Sequence, residues 1–268
     1  MTESLPVVAM PLSRAICPSL EWREQSASTN TELVANAPQL PDLAVIATDN
    51  QTAGRGRLDR VWSAAPGAAL AVSVLVRHDA SGNVEPRLLG WLPLLAGVAM
   101  TRAVRSLGAD SIGLKWPNDV LAVTSEGERK LSGILTELTT DGVVIGAGLN
   151  LTMSHADLPV PTATSLALMG VPTDAALTDR ALAAYLRELT ALVAQWRATP
   201  QTRALAAIVE PELHTLGRAV RIDRPGLPVL LGTAVGLDDD GRLLVRSADA
   251  IDPVIAVAAG DVTHLRYE

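Results

Sequence analysis

The sequence predicts a mixed α/β domain to about residue 212, followed by a small all-β module of barrel type. Three observations predict it. Two long stretches, 88–107 and 179–196, carry apolar residues at helical spacing. Short apolar runs set between polar, glycine-bearing turns read as strands. Pro211 and Gly217 punctuate the chain, and after them only strand-length runs occur.

Taken in order, 1–27 reads as irregular, with Pro6, Pro11 and Pro18 interrupting any long element. Ser28-Thr29-Asn30 supplies capping chemistry for a short helix over 31–37. Residues 43–48 read as a buried strand, 49–63 as a polar, glycine-bearing loop, and 68–76 as a second strand. The helix over 88–107 contains Pro93, which either kinks it or resets its start. Four strands follow at 112–116, 120–123, 130–138 and 143–151, with Gly127 and Asp141-Gly142 at turns between them. The stretch 155–174 reads as a loop. The helix over 179–196 has its stripe at Leu182, Leu186, Leu189 and Val193. Finally, 219–222, 228–236, 242–245 and 254–258 read as strands, with Asp239-Asp240-Gly241 at a tight turn.

Composition narrows the function classes. At 268 residues and 48% hydrophobic, the chain can bury a substantial core, which excludes a disordered or disulfide-stapled miniprotein. Cys17 is the single cysteine, so neither an intrachain disulfide nor a cysteine zinc site can form. A net charge of −7 counts against a general nucleic-acid binder. No apolar run approaches the roughly 18 residues of a membrane span, and 1–10 carries no basic residue of the kind that opens a secretory signal. The expected setting is cytoplasmic. The four histidines are far apart in sequence and read as surface or loop residues. Of the basic residues only Lys115 and Lys130 are lysines, and both fall in segments that are informative for other reasons.

The first such segment runs from Gln51 to Trp62. It holds Gly54-Arg55-Gly56-Arg57 and then Arg60. The spacing of the three arginines fits no single helix or strand face. It suits a loop that closes over an anion, with guanidinium forks and glycine-exposed N–H groups, and Trp62 available to cover a planar ligand. An ordinary solvent loop reads equally well.

The second is Lys115-Trp116-Pro117-Asn118-Asp119. It reads first as a tight turn, and alternatively as an ammonium, an amide and a carboxylate gathered at a strand end to meet Mg²⁺-bound nucleotide phosphates. The third, Lys130-Leu131-Ser132-Gly133-Ile134-Leu135, puts Lys130, Ser132 and Ile134 on one strand face, either as a solvated edge charge or as a placed cation. The fourth, Gly146-Ala147-Gly148-Leu149-Asn150, lacks the third glycine and the helix of a dinucleotide fingerprint; its glycines would let a ligand lie against a strand. No Walker-type phosphate loop and no Gly-x-Ser-x-Gly elbow is present.

In this order the segments resemble the biotin protein ligases, whose pattern runs Ser-Thr-Asn, Gly-Arg-Gly-Arg…Trp, Lys-Trp-Pro-Asn-Asp, Lys-Leu-x-Gly-Ile-Leu and Gly-x-Gly-x-Asn. The motifs span about 120 residues, and the ordered set is far more specific than any member. The resemblance implies an α+β fold: a mixed-sheet catalytic domain of the biotin/lipoate ligase type over 1–212 and an SH3-like β-barrel over 213–268. It implies that biotin and MgATP give biotinyl-5′-AMP, and that a lysine of a biotin carboxyl carrier domain of an acetyl-CoA or acyl-CoA carboxylase then takes the biotin. Ser28, Thr29, Asn30, Gln51, Gly54, Arg55, Lys130 and Gly133 would serve biotin. Arg57, Arg60, Trp62, Lys115, Asn118 and Asn150 would serve ATP or the adenylate. Lys130, Arg57 and Asp119 would be catalytic, with Asp119 also near Mg²⁺. The loop bearing Gly54 to Trp62 would fold over the adenylate, although Leu58-Asp59 makes it less basic than in relatives. Only 27 residues precede Ser28, too few for the winged helix-turn-helix of ligase-repressors, so no operator binding is expected; a homodimer is compatible. A lipoate ligase-like enzyme and an anion-gripping RNA- or protein-binding module are the rival readings.

Overall fold

The structure is a computed structural model. It describes residues 9–57, 60–78, 85–125, 127–198, 201–224, 226–247, 254–258 and 260–264. In chain order the elements are α1 (Pro11–Ile16), β1 (Leu20–Trp22), α2 (Thr29–Asn36), β2 (Val45–Thr48), β3 (Gly54–Arg55), β4 (Val61–Trp62), β5 (Ala69–Arg77), α3 (Pro86–Leu89), α4 (Leu92–Ser106), β6 (Ile112–Lys115), β7 (Asp119–Thr124), β8 (Gly127–Leu138), β9 (Gly142–Asn150), α5 (Leu177–Ala198), α6 (Thr202–Val209), β10 (Ala219–Asp223), β11 (Leu230–Leu237), β12 (Leu243–Ser247), β13 (Val254–Val257) and β14 (Asp261–His264).

A seven-stranded mixed sheet, ordered β1-β2-β5-β9-β8-β7-β6, forms the body. Only β1 and β2 run parallel; the other neighbours are antiparallel. Side chains alternate across it. Val72, Val74, Val76, Ile145, Ala147 and Leu149 face the main core. There α4 packs on α5 and both pack on the sheet. Ile46, Leu75 and Val144 face the other way, onto Leu33 of α2. The same alternation leaves Ala71, Gly146, Gly148 and Asn150 on the side away from the main core, where they line a cavity.

The reading of 1–27 as irregular is corrected at two places. Pro11 opens α1, where its missing N–H costs nothing. The buried Asp179 carboxylate accepts from Leu12 N, Ser13 N and Ser13 Oγ, satisfying first-turn donors of α1 from α5. β1 then takes the sheet edge beside β2. Helix α2 starts at Thr29, with the Ser28 side chain accepting from Thr31 N. The stretch 88–107 splits: α3 ends at Leu89, and α4 begins at Leu92 with Pro93 in its first turn, so Pro93 resets the start. By length and composition Pro86–Ser106 could cross a membrane, contrary to the sequence reading; here it is mostly buried in the protein core.

A second, five-stranded antiparallel sheet, β13-β12-β11-β10-β14, follows. Strand β14, missed in the sequence, closes its edge. Its 238–241 turn docks on the first sheet's layer: Trp91 Nε1 donates to Asp239 O at 3.0 Å, Trp116 Nε1 to Gly241 O at 3.2 Å, and Thr202 Oγ1 to Asp239 Oδ1 at 2.7 Å. Gly90 is required at this joint, since a Cβ there would strike the Asp240 carbonyl.

Candidate active site

Strands β5, β8 and β9, helix α2, the β3–β4 hairpin, the 116–118 turn and β14 enclose a cavity of about 670 Å³. All sequence-predicted site residues line it except Gly54. Gly54 acts one step back: its missing Cβ lets Gln51 and the Trp62 carbonyl pack against the hairpin.

At one end, backbone and side-chain amides and hydroxyls are locked together. Gln51 Oε1 accepts from Thr29 N at 2.9 Å and Thr29 Oγ1 at 3.2 Å. Ser73 Oγ bonds Thr29 Oγ1 at 2.8 Å and Asn30 Oδ1 at 2.6 Å. Asn30 Nδ2 donates to Leu135 O and to Glu137 Oε1. Ser73 and Glu137 went unread in the sequence: each lies inside an apolar strand pattern, and only the fold shows which face it takes. Ser132 Oγ also lines the cavity, is buried, and has no hydrogen-bond partner among the described residues.

At the other end cations gather. The Lys130 ammonium lies 2.5 Å from Asp119 Oδ1. Their strands pair Asp119 with Gly133, where a Cβ would stand 3.1 Å from Lys130 Cε and Nζ. Gly133 therefore makes room for the pair. The Lys130 backbone is tied to the 162–164 segment, donating to Thr162 O at 2.7 Å and accepting from Thr164 N at 2.9 Å. Lys115 sits opposite Asp119 across the β6–β7 hairpin and lines the cavity. Asn118 ties the turn to β8 by donating Nδ2 to Ile134 O and accepting Ile134 N.

The three arginines of the hairpin diverge. Arg55 donates to Thr31 Oγ1 and Glu137 at 3.1 Å. Arg57 donates to Asn118 Oδ1 at 3.0 Å. Arg60 ion-pairs with Asp261 of β14. This explains why their spacing fits no common face. Burial pulls the Arg57 guanidinium below its ordinary value, Arg60 adds to that, and Asp261 and Asp119 oppose it.

Gly146 and Gly148 line the cavity, and they also make room for protein side chains. A Cβ on Gly146 would collide with the Asn30 amide, and one on Gly148 would stand 2.7 Å from the Trp62 ring. Trp62 is thereby seated against β9. Asn150 donates Nδ2 to Thr164 O at 2.8 Å. The expectation for the histidines is corrected. His214 and His264 are neighbours, with ring centroids 6.1 Å apart, and the His264 side chain is only 3% exposed. Their 50-residue separation hid this.

A divalent metal fits here only as cargo of a nucleotide. Among the described residues no cluster of three or more His, Cys, Asp or Glu could hold a resident ion. Asp119 Oδ1 is taken by the Lys130 ammonium, so only the remaining oxygen of this one carboxylate could reach an ion held mainly by phosphates.

Two family models match, the biotin/lipoate A/B protein ligase family over residues 22–150 and the biotin protein ligase C-terminal domain over 215–265. A biotin--[acetyl-CoA-carboxylase] ligase of Mycobacterium tuberculosis is 41% identical over 256 residues, covering 91% of this chain and 90% of the relative. The chain belongs to the biotin protein ligase family. Among solved structures, the family's ligase from Aquifex aeolicus with biotin and ATP superposes with a TM-score of 0.73 at 25% identity, covering 92% of this chain and 99% of that one. The Leishmania major ligase with biotinyl-5-AMP gives 0.61 at 25% identity, covering 93% and 99%. The α+β fold expected from the sequence is the fold of this family.

Proposed function

We propose that the chain joins biotin to ATP as biotinyl-5′-AMP, releasing pyrophosphate, and passes the biotinyl group to a lysine of a biotin carboxyl carrier domain, releasing AMP. It is an ATP-dependent biotin ligase. One observation carries this reading: a single cavity sets a rigid amide and hydroxyl cluster at one end against Lys115, Lys130 and Arg57 at the other. Such a site suits a neutral, hydrogen-bonding ring system whose carboxylate must meet a phosphate.

The chemistry asks for what these residues supply. In the first step a carboxylate oxygen attacks the α-phosphorus, and the bond to the bridging oxygen of pyrophosphate breaks. Both reactants are anionic, so their approach needs cations. Lys130 and Arg57 serve the joining carboxylate and α-phosphate, while Lys115, Asn118 and Asp119 serve the departing phosphates and their Mg²⁺. Arg60 lies near the phosphates. Ser28, Thr29, Asn30, Gln51, Arg55 and Gly133 hold the biotin end; Trp62 and Asn150 hold the adenine. In the second step the acceptor amine attacks the acyl carbon and AMP leaves. The hairpin shields the mixed anhydride from water. Asp119 helps the acceptor lysine lose its proton.

Residues 1–212 form the catalytic domain and 213–268 its C-terminal partner. The chain acts in the cytoplasm on a carboxylase carrier domain, and a second copy is compatible as a partner. The test is incubation of an apo carrier domain with MgATP and either biotin or lipoate, with Lys130→Ala alongside. A biotin-sized mass gain on the carrier, absent in the variant, supports the reading. A carrier that gains lipoate but not biotin overturns it.

A further inference from the structure

Among the described residues, the Lys115 ammonium makes no hydrogen bond and no ion pair although it lines the cavity; Lys130, by contrast, has Asp119. A second carboxylate lines the same cavity. Glu128 lies on β8 two residues before Lys130, and a Glu128 side chain free to swing would neutralise one of the ammonium groups.

Glu128 is held. His264 Nδ1, from β14, lies 2.9 and 2.8 Å from its two oxygens, while His214 Nε2 at 3.3 Å and Arg218 Nη1 at 3.4 Å approach Oε1 alone. A carboxylate only accepts, so Nδ1 carries the proton. In the neutral ring Nε2 then accepts, and Thr215 Oγ1 stands 3.1 Å from it as donor. The same Oγ1 accepts the Trp116 N–H at 3.0 Å. Trp116 directly follows Lys115. One unbroken chain of hydrogen bonds thus joins Glu128, His264 and Thr215 to the backbone beside Lys115. Thr215 is fully buried, so water does not compete for these bonds.

We propose that His264 is a positioning residue for the nucleotide end of the reaction: by holding Glu128 it keeps the Lys115 ammonium available to the polyphosphate of ATP. The identity of the nucleotide rests on the ligase reading above. The C-terminal sheet is then part of the ATP site through a residue that need not touch ATP.

The test is calorimetric titration of folded variants with ATP and, separately, with biotin, together with steady-state KM values. Removing the ring in His264→Ala weakens ATP binding at least tenfold and leaves biotin binding within twofold. His264→Asn, whose amide can still donate to Glu128, recovers most of the loss. The double variant Glu128→Gln/His264→Ala recovers it as well, because the released side chain no longer carries a charge. ATP affinity unchanged in His264→Ala overturns the inference. So does a double variant as weak as the single one at equal melting temperature, since the role would then be purely structural. Wild-type protein that binds ATP but shows no biotin-dependent pyrophosphate exchange overturns the ligase reading instead, and leaves the clamp standing.

Discussion

Lys130 and Asp119 form an ion pair at 2.5 Å on adjacent strands, and Gly133, opposite Asp119, leaves the space it occupies. The ammonium is therefore positioned before any anion arrives. A charge about 4 Å from a phosphate oxygen is worth about 4 kcal/mol at an effective dielectric near 20. Lys130 is partly exposed, which reduces this. Lys130→Ala should slow biotin-dependent ATP–pyrophosphate exchange by roughly 10²- to 10³-fold, read by isotope exchange. Asp119→Asn should slow transfer from preformed biotinyl-AMP; full transfer rate in that variant sinks the proton-acceptor role.

Gly148 tests the seat of Trp62. In Gly148→Ala the added methyl would stand 2.7 Å from the indole, so the ring must lift off β9. Nucleotide affinity should fall roughly tenfold, about 1.4 kcal/mol, with biotin affinity retained. Equilibrium titration with each ligand checks it.

Stability should depend on pH through the joint between the sheets. Burial pushes His264 below the ordinary imidazole value, Lys115 and Arg218 adding to this and Glu128 opposing it. His214 is lowered by burial and by Arg218. The unfolded chain thus takes up these protons at higher pH than the folded one. Between the folded values and about 6.5, unfolding binds protons, so stability rises with pH and is lost on acidification. Glu128 acts in the same sense lower down: burial raises it, but the His264 hydrogen bond and the charges of His264, Arg218 and His214 together outweigh burial and depress it. Its contribution holds above the ordinary carboxylate value and fades as pH falls through the folded one. Melting temperature should drop between about pH 7.5 and pH 5.5, and less steeply in His264→Asn. Equal slopes in thermal melts would refute this.

Tyr185 of α5 is fully buried and its hydroxyl has no hydrogen-bond partner among the described residues; burial also pushes its ionisation well up. Tyr185→Phe removes an unsatisfied group without opening a cavity, and should stabilise by about 1 kcal/mol, seen as a melting temperature about 2–4 °C higher.

The local grammar of the chain was largely readable. Ser28 capping α2, the Asp141-Gly142 turn and the stripe of α5 follow from short-range rules. The site motifs were readable because each is compact in sequence. What escaped depends on contacts between distant segments. α1 exists because Asp179 caps it from 166 residues away. β1 is three residues long and gains its ladder only from β2. Glu128, His264 and Thr215 carry no motif at all; their meaning comes from a chain of bonds spanning both sheets. Gly146 and Gly148 were singled out for close approach, and Asn30 and Trp62 are protein groups that approach them beside the cavity.

The hairpin arginines each already have a protein acceptor: Glu137 for Arg55, Asn118 for Arg57 and Asp261 for Arg60. An incoming anion therefore trades one set of partners for another and gains only the difference. Only a molecule long enough to reach all three recovers what it displaces, so selectivity against small abundant ions is built into the hairpin's own internal competition.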